Sequence, residues 1–195
     1  MPDRETLAAY DKAPVDFAND WDAQPTPEDL QAVVRKYFKP GKVADIGSGS
    51  GRDAGWLAAN GFAVTGYDAS EGLLAEARRR HPEIMFEYAA LPALENVADE
   101  SFDNVLCETV IMHLPLEEIV PSVCRLLAIL KPGGVLYLSW RTDKGVDWRD
   151  PRGRRYAGFD PKIVRGAIAP HEILLEDETI SASSGNPIHV IVARK

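Results

Sequence analysis

The sequence predicts a doubly wound α/β fold: a seven-stranded, mostly parallel sheet with helices on both faces, ending in an antiparallel C-terminal hairpin. Three observations predict it. Short apolar runs alternate with helical stretches, which is the signature of strand–helix–strand units. A glycine-rich turn, Gly47-Ser48-Gly49-Ser50-Gly51, joins a buried run to a helix. The last two apolar runs, 173–181 and 189–194, are joined only by Ala182-Ser183-Ser184-Gly185-Asn186-Pro187. Parallel strands need a crossover of about a dozen residues or more, so these two must pair antiparallel.

Taken in order, the first strong helix begins at Thr26-Pro27-Glu28-Asp29. Thr26 is suited to cap, Pro27 to the first helical position, and the acids to the positive end of the dipole. Leu30, Val33, Val34, Tyr37 and Phe38 fall on one face, and Pro40-Gly41 ends the segment. Strands are expected over 42–46, 63–67, 85–88, 102–107 and 135–140. Helices are expected over about 52–60, 70–80 and 117–130. Ser70 caps the second of these, with Glu71 in its first turn and three arginines at its far end. In the third, Ile119, Val120, Val123, Leu126, Leu127 and Leu130 form a core-facing stripe. Pro121 belongs near the start of a regular turn there, because it costs about 3 kcal/mol in a helix interior. Lys131-Pro132-Gly133-Gly134 reads as a tight turn into the next strand.

One domain, 1–195, accounts for the length, with 45% apolar residues to build a core. No apolar run reaches the roughly 20 residues that cross a bilayer, and Met1 to Tyr10 does not read as a secretory signal. Cys107 and Cys124 are expected as buried thiols rather than a disulfide, which fits a cytoplasmic protein. The four histidines are scattered, so no metal site is expected. A net charge of −8 argues against nucleic acid as a partner. Oligomeric state is not legible.

The richest stretch is Val43-Ala44-Asp45-Ile46-Gly47-Ser48-Gly49-Ser50-Gly51-Arg52-Asp53. Its glycines allow a sharp turn and close approach of a ligand to the backbone. The dinucleotide fingerprint would place its third glycine at position 52, where Arg52 stands. Asp45 just before the loop suits a cationic ligand better than a pyrophosphate. Asp68, at the end of the second strand, is placed to accept hydrogen bonds from two ribose hydroxyls. An adenosine with a cationic tail therefore fits better than a nicotinamide dinucleotide.

Together with Leu-Lys-Pro-Gly-Gly before the fifth strand, these residues resemble the class I S-adenosylmethionine (SAM)-dependent methyltransferases, of the small-molecule, type 11/25-like kind. The resemblance runs from about Tyr10 to Lys195. It implies a Rossmann-like fold and SAM as cofactor. It implies that Asp45 and the backbone around Gly47, Ser48 and Gly49 hold the methionine end. Asp68 would bind the ribose, Ala69 and Leu91 would line the adenine, and backbone near Ala90 would meet its edge. Many relatives have an acid where Ala90 stands. Cys107 and Glu108, ending the fourth strand, would lie where the transferable methyl points. Residues 1–25 resemble the family's lid, in which Tyr10 would meet the SAM carboxylate.

Methyl transfer from a sulfonium needs alignment and a dry site, and a base only when the acceptor arrives protonated. His113 is the best base candidate. No Asn/Asp-Pro-Pro-aromatic signature follows the fourth strand, which disfavours nucleobase or glutamine amines as acceptors. The segment 141–160 is the most individual part of the chain. From Arg141 to Phe159 it holds six basic residues and three acids, a net of +3 that leaves −11 for the rest. Arg152, Arg154 and Arg155 are expected to overhang the acceptor pocket and to steer a small, anionic molecule. Two alternatives compete: a non-catalytic SAM-binding protein, and a nicotinamide-dependent oxidoreductase.

Overall fold

β1 (Lys42–Ile46) is buried at every position after Lys42, as a strand covered by helices on both faces must be. It lies at the centre of the computed structural model, which describes residues 3–142 and 146–195. Ahead of it come α1 (Arg4–Lys12), α2 (Pro14–Asp22) and α3 (Glu28–Tyr37). After it run α4 (Arg52–Ala59), β2 (Ala63–Asp68), α5 (Glu71–Arg80), β3 (Met85–Tyr88) and β4 (Phe102–Cys107). The chain continues through α6 (Leu116–Ala128), β5 (Leu130–Arg141), β6 (Trp148–Arg149), β7 (Arg155–Tyr156) and α7 (Pro161–Ile168). It ends on the hairpin β8 (Glu172–Ile180) and β9 (Pro187–Arg194).

The main sheet has seven strands in the order β3-β2-β1-β4-β5-β9-β8. β1 pairs parallel with β2 and with β4, β2 with β3, and β4 with β5. β9 runs antiparallel to both β5 and β8, in register Tyr137↔Val192 and Asp177↔Val190. The order reverses between β1 and β4, and at such a switch point the two flanking loops part to leave a crevice above the strand ends.

Each face of the sheet has its own core. On one, Ala44, Ile46, Val105, Leu136 and Leu138 pack against Ile119, Val123 and Leu126 of α6. On the other, Val43, Leu106, Val135 and Tyr137 meet Leu30 and Val34 of α3 and Leu57 of α4. Strand alternation divides these sets, and it also puts Asp45, Glu108 and Ser139 on the α3–α4 side of the sheet edge.

Several expectations need correction. α3 begins at Glu28 with Pro27 in the capping position, and the Thr26 carbonyl accepts the Glu28 N–H at 2.8 Å instead of its hydroxyl capping. Pro121 lies inside α6, where the Ser122 hydroxyl donates to the Glu118 carbonyl at 2.6 Å. Val120 is 39% exposed, off the buried stripe that Ile119, Val123, Leu126 and Leu127 form. Cys124 is exposed, on α6's outer side, whereas Cys107 is buried as expected. Leu130 to Gly134 belong to β5, with a register irregularity against β4 between Phe102 and Asn104. The basic segment is not a plain loop. It contains the antiparallel pair β6–β7 and leads into α7, which Asp160 caps through the Lys162 N–H. Its Asp143 and Lys144 lie outside the described residues.

Candidate active site

A cavity of about 380 Å³ opens above the C-terminal ends of β1, β2, β4 and β5. Its floor is the glycine loop. Gly47 and Gly49 take φ of 75° and 53°, left-handed values that side chains resist. A Cβ on Gly47 would come within 2.3 Å of Val110, and one on Gly49 within 2.9 Å of the Trp21 ring. The loop is thus a bare backbone surface pressed between α2 and the turn after β4.

Asp68 fixes that surface. Its carboxylate accepts the Gly49 N–H and the Ser70 N–H, each at 2.8 Å. Burial raises its pKa, and these backbone donors pull it back. Each carboxylate oxygen has a second lone pair, which leaves acceptor capacity for hydroxyls in the cleft. Beside it, Ala69, Leu73, Ala89 and Leu91 supply an apolar wall. Ala90 is not part of this wall, and its carbonyl accepts the Leu94 N–H at 2.8 Å.

Beneath the loop, outside the cleft lining, Asp45 is 3% exposed and its Oδ2 has no hydrogen-bond partner among the described residues. Its pKa is raised well above the usual carboxylate range by burial first, then by Asp53, Asp68 and Glu108; Arg52 opposes this. Arg52 is itself engaged, by Asp53 at 3.1 Å and by Gln24 at 3.3 Å. The Ser48 and Ser50 hydroxyls are also buried without partners among the described residues. Buried polar groups are ordinarily satisfied. Three orphans around a glycine turn fit a polar, cationic ligand seated there.

Glu108 lines the cleft at the end of β4. Ser139 and Tyr137 of β5 hydrogen-bond its carboxyl. Burial pushes its pKa up to about 7, with Asp53 and Asp29 adding to the rise and the two hydroxyls opposing it. Cys107 is fully buried and turned to the α6 face, outside the cleft lining, and burial pushes its thiol pKa up.

The opposite wall is aromatic and basic. The Arg154 guanidinium lies 5.0 Å from the Phe17 ring centre, 5.6 Å from Tyr156 and 5.8 Å from Tyr10. Arg141 stacks on Tyr156 at 4.8 Å and Arg152 on Phe17 at 4.7 Å. Such stacking holds planar cations over ring faces. Arg152 also pairs with Asp20, and Arg154 with Asp150. Arg155 departs from expectation. It does not line the cleft, because its guanidinium turns outward to Asp147.

His113 joins the two walls. Its Nδ1 faces the Arg155 carbonyl, which can only accept, so that nitrogen carries the proton. Nε2 is then the acceptor for the Tyr10 hydroxyl at 3.3 Å. Burial lowers the His113 pKa to about 4 and raises that of Tyr10 to about 12. Residues 3–25 supply Tyr10, Phe17 and Trp21 to the rim. Arg141, Tyr156 and the β8–β9 turn (Ser181, Ser183, Ser184, Asn186) also line the cleft. The sequence did not single these out as site residues. A basic run flags Arg141, but nothing local to 181–186 signals that the hairpin tip bends over β5.

A family model described as a methyltransferase domain matches residues 43–134. A trans-aconitate 2-methyltransferase from Methylobacterium nodulans is 39% identical over 134 residues, covering 67% of this chain and 49% of that protein. A ubiquinone biosynthesis O-methyltransferase from Idiomarina loihiensis is 35% identical, covering 75% of this chain and 66% of its own length. The chain thus spans about half to two thirds of these curated relatives. Among solved structures, one similar fold is a Burkholderia thailandensis 1,6-didemethyltoxoflavin-N1-methyltransferase with bound 1,6-didemethyltoxoflavin and S-adenosylhomocysteine. It has a TM-score of 0.77 at 20% identity, covering 98% of this chain and 87% of that one. A SAM-dependent methyltransferase from Anabaena variabilis gives 0.76 at 18% identity, covering 99% and 96%. Residues 43–134 carry a methyltransferase domain, and the fold around them is that of the class I SAM-dependent methyltransferases, whose cofactor is S-adenosyl-L-methionine. Among the described residues no helix is long and apolar enough to cross a membrane, and no group of His, Cys, Asp and Glu is arranged to hold a metal ion.

Proposed function

We propose that this protein transfers a methyl group from SAM to a small acceptor bearing a carboxylate or similar anionic group. The observation that carries the reading is the two-sided cleft. A glycine loop with buried acids faces an aromatic wall that presents Arg141, Arg152 and Arg154. The trans-aconitate enzyme, the relative with the highest identity given above, is named for an acceptor that is a tricarboxylic acid, and this supports an anionic acceptor.

When bound, SAM supplies a methyl group already activated on a sulfonium. The chain's own residues then have three tasks. Asp45 and the Gly47–Gly49 backbone would hold the methionine end. Asp68 would hold the ribose, with Leu91 and Ala69 against the adenine. Arg154 and Arg152, pre-oriented on Phe17 and Tyr156, would align the acceptor and neutralise its charge. Residues 1–25 would serve as a lid, and the segment 141–160 as the acceptor-side wall. His113, neutral above pH 5 by its pKa of about 4, would take part through Nε2 and Tyr10 rather than as a cation.

The test is calorimetric titration with S-adenosylhomocysteine beside Asp68→Ala, followed by transfer of radiolabelled methyl to a carboxylate panel that includes trans-aconitate. Micromolar binding that weakens about a hundredfold in the variant is expected, because charged hydrogen bonds contribute roughly 1.5–3 kcal/mol each. Binding with no turnover on any acceptor would favour a non-catalytic SAM-binding protein. No binding at all would remove the cofactor reading.

A further inference from the structure

At one corner of the cleft, and in the layer just beneath its floor, acids outnumber the nearby cations. Asp45 on β1, Glu108 just after β4 and Asp53 on α4 lie on the α3–α4 side of the sheet edge, with Asp68 behind them on β2. Arg52 acts on Asp45, but its guanidinium already forks onto Asp53 at 3.1 and 3.4 Å while Asp22 of α2 attracts it further. From the other elements, Asp29 of α3 faces Glu108, β5 contributes only the Tyr137 and Ser139 hydroxyls, and Cys107 lies behind as a neutral thiol. Asp45 Oδ2 meets no donor among the described residues. With Arg52 committed to Asp53, the buried Asp45 and the half-buried Glu108 share no cation of their own among the described residues, and a buried carboxylate left unpaired forgoes several kcal/mol of solvation. Protons must supply the balance until a cation arrives.

This inference rests on the cofactor reading above and goes beyond it. We propose that Glu108 and Asp45 together distinguish the charged methyl donor from its demethylated product. The pair holds protons when the cleft is empty, gives one up when the sulfonium enters, and takes it back when the sulfur becomes uncharged. SAM carries a net charge of +1 and S-adenosylhomocysteine none, so the exchange balances: the cation binds, a carboxyl ionises and H⁺ leaves. The consequence is selective release of product. The affinity ratio of donor to product rises with pH, by up to tenfold per pH unit where one proton is exchanged. The pH range is that in which Glu108, half-buried on the cleft wall and titrating at about 7, changes its charge. Glu108 acts here on specificity and not on bond making.

The experiment is calorimetry of SAM and of S-adenosylhomocysteine binding to the full chain at pH 6, 7 and 8. Each is run in phosphate and in Tris, whose ionisation enthalpies differ. The expected result is a buffer-dependent heat that reports proton release for SAM and a smaller release for the product. The donor-to-product ratio should climb with pH. In Glu108→Gln, which keeps a side chain of the same shape and an acceptor for Ser139, both ligands should still bind. The ratio should then flatten with pH. Asp45→Asn is the second variant, in case glutamine at 108 perturbs β4. Equal proton release for the two ligands, or an unchanged pH slope in both variants, would overturn the proposal. Failure of either ligand to bind the native protein would overturn the cofactor reading itself, and this inference with it.

Discussion

His113 shows how a single side chain fixes both geometry and pH response. Its Nδ1–H is committed to the Arg155 carbonyl, and its ring packs edge-on to Tyr156 at 4.9 Å and to Tyr10 at 6.1 Å. Burial drops its pKa from 6.5 to about 4. A base whose folded pKa lies below its unfolded value takes up its proton first in the unfolded chain. Stability that His113 contributes is therefore complete above pH 6.5 and is lost as pH falls toward 4. A shift of this size sets the upper bound of the loss at about 3 kcal/mol, reduced by the solvent that the half-buried ring still meets. The variant His113→Asn keeps a donor for the Arg155 carbonyl but cannot titrate. The native melting temperature should fall steeply between pH 6.5 and 4, and the variant's should fall less. Parallel curves for the two proteins would show that other groups govern the acid limb.

At the scale of elements, the cleft is roofed by two pieces that touch each other. Arg149 on β6 makes two 2.7 Å bonds to Asp3, the residue that caps α1, and a 3.2 Å contact to Glu5. The Arg155 N–H donates to Thr6 Oγ1 at 2.9 Å. The arginine holds the Asp3 pKa well below the usual carboxylate range. On the other side α1 is tied to α5, because Asp11 accepts from the Ser70 hydroxyl at 2.6 Å and the Gly72 N–H at 3.1 Å. Arg149→Ala should therefore loosen α1 without unfolding the sheet. Hydrogen exchange across Arg4–Lys12 should quicken, while β1 and β4 stay protected, and global stability should fall by only about 0.5–1 kcal/mol, as for a partly exposed pair. Uniform quickening throughout would mean that the roof and the sheet open together.

The same elements show what was legible in advance. Strands 42–46 and 102–107 and the antiparallel C-terminal hairpin follow from apolar runs and connection lengths alone, because strands covered on both faces have no polar alternative. The β6–β7 pair and α7 did not. Two-residue strands leave no period to read, and the Asp160-Pro161 start of α7 falls among basic residues that read as one charged loop. As candidates, Asp45 is flagged by its place before the glycine loop, and Glu108 only through the resemblance to the family. That both share a face with Ser139 depends on strand order, which no local pattern encodes.

For the whole molecule, the division of labour runs along the strands. The cleft sits at their C-terminal ends, and the α6 core lies beneath it on the opposite side of the sheet from the Asp45–Glu108 row. Leu126 is fully buried in that core, among Ile119, Val123 and the sheet residues. Leu126 is not itself a residue of the cleft lining, so Leu126→Ala removes packing beneath the cleft without altering a side chain that faces it. A buried Leu→Ala change costs about 2–5 kcal/mol, and in a chain of this size each kcal/mol moves the melting temperature by roughly 2–4 °C. A drop of about 5–15 °C is therefore expected. Affinity for S-adenosylhomocysteine at 15 °C, where the variant remains folded, should change less than twofold. If affinity fell in step with stability, the sheet edge and the α6 core would form one cooperative unit. The glycine loop would then owe its shape to packing on the far face as well as to Asp68, and Leu57→Ala on the near face would be the next substitution to compare.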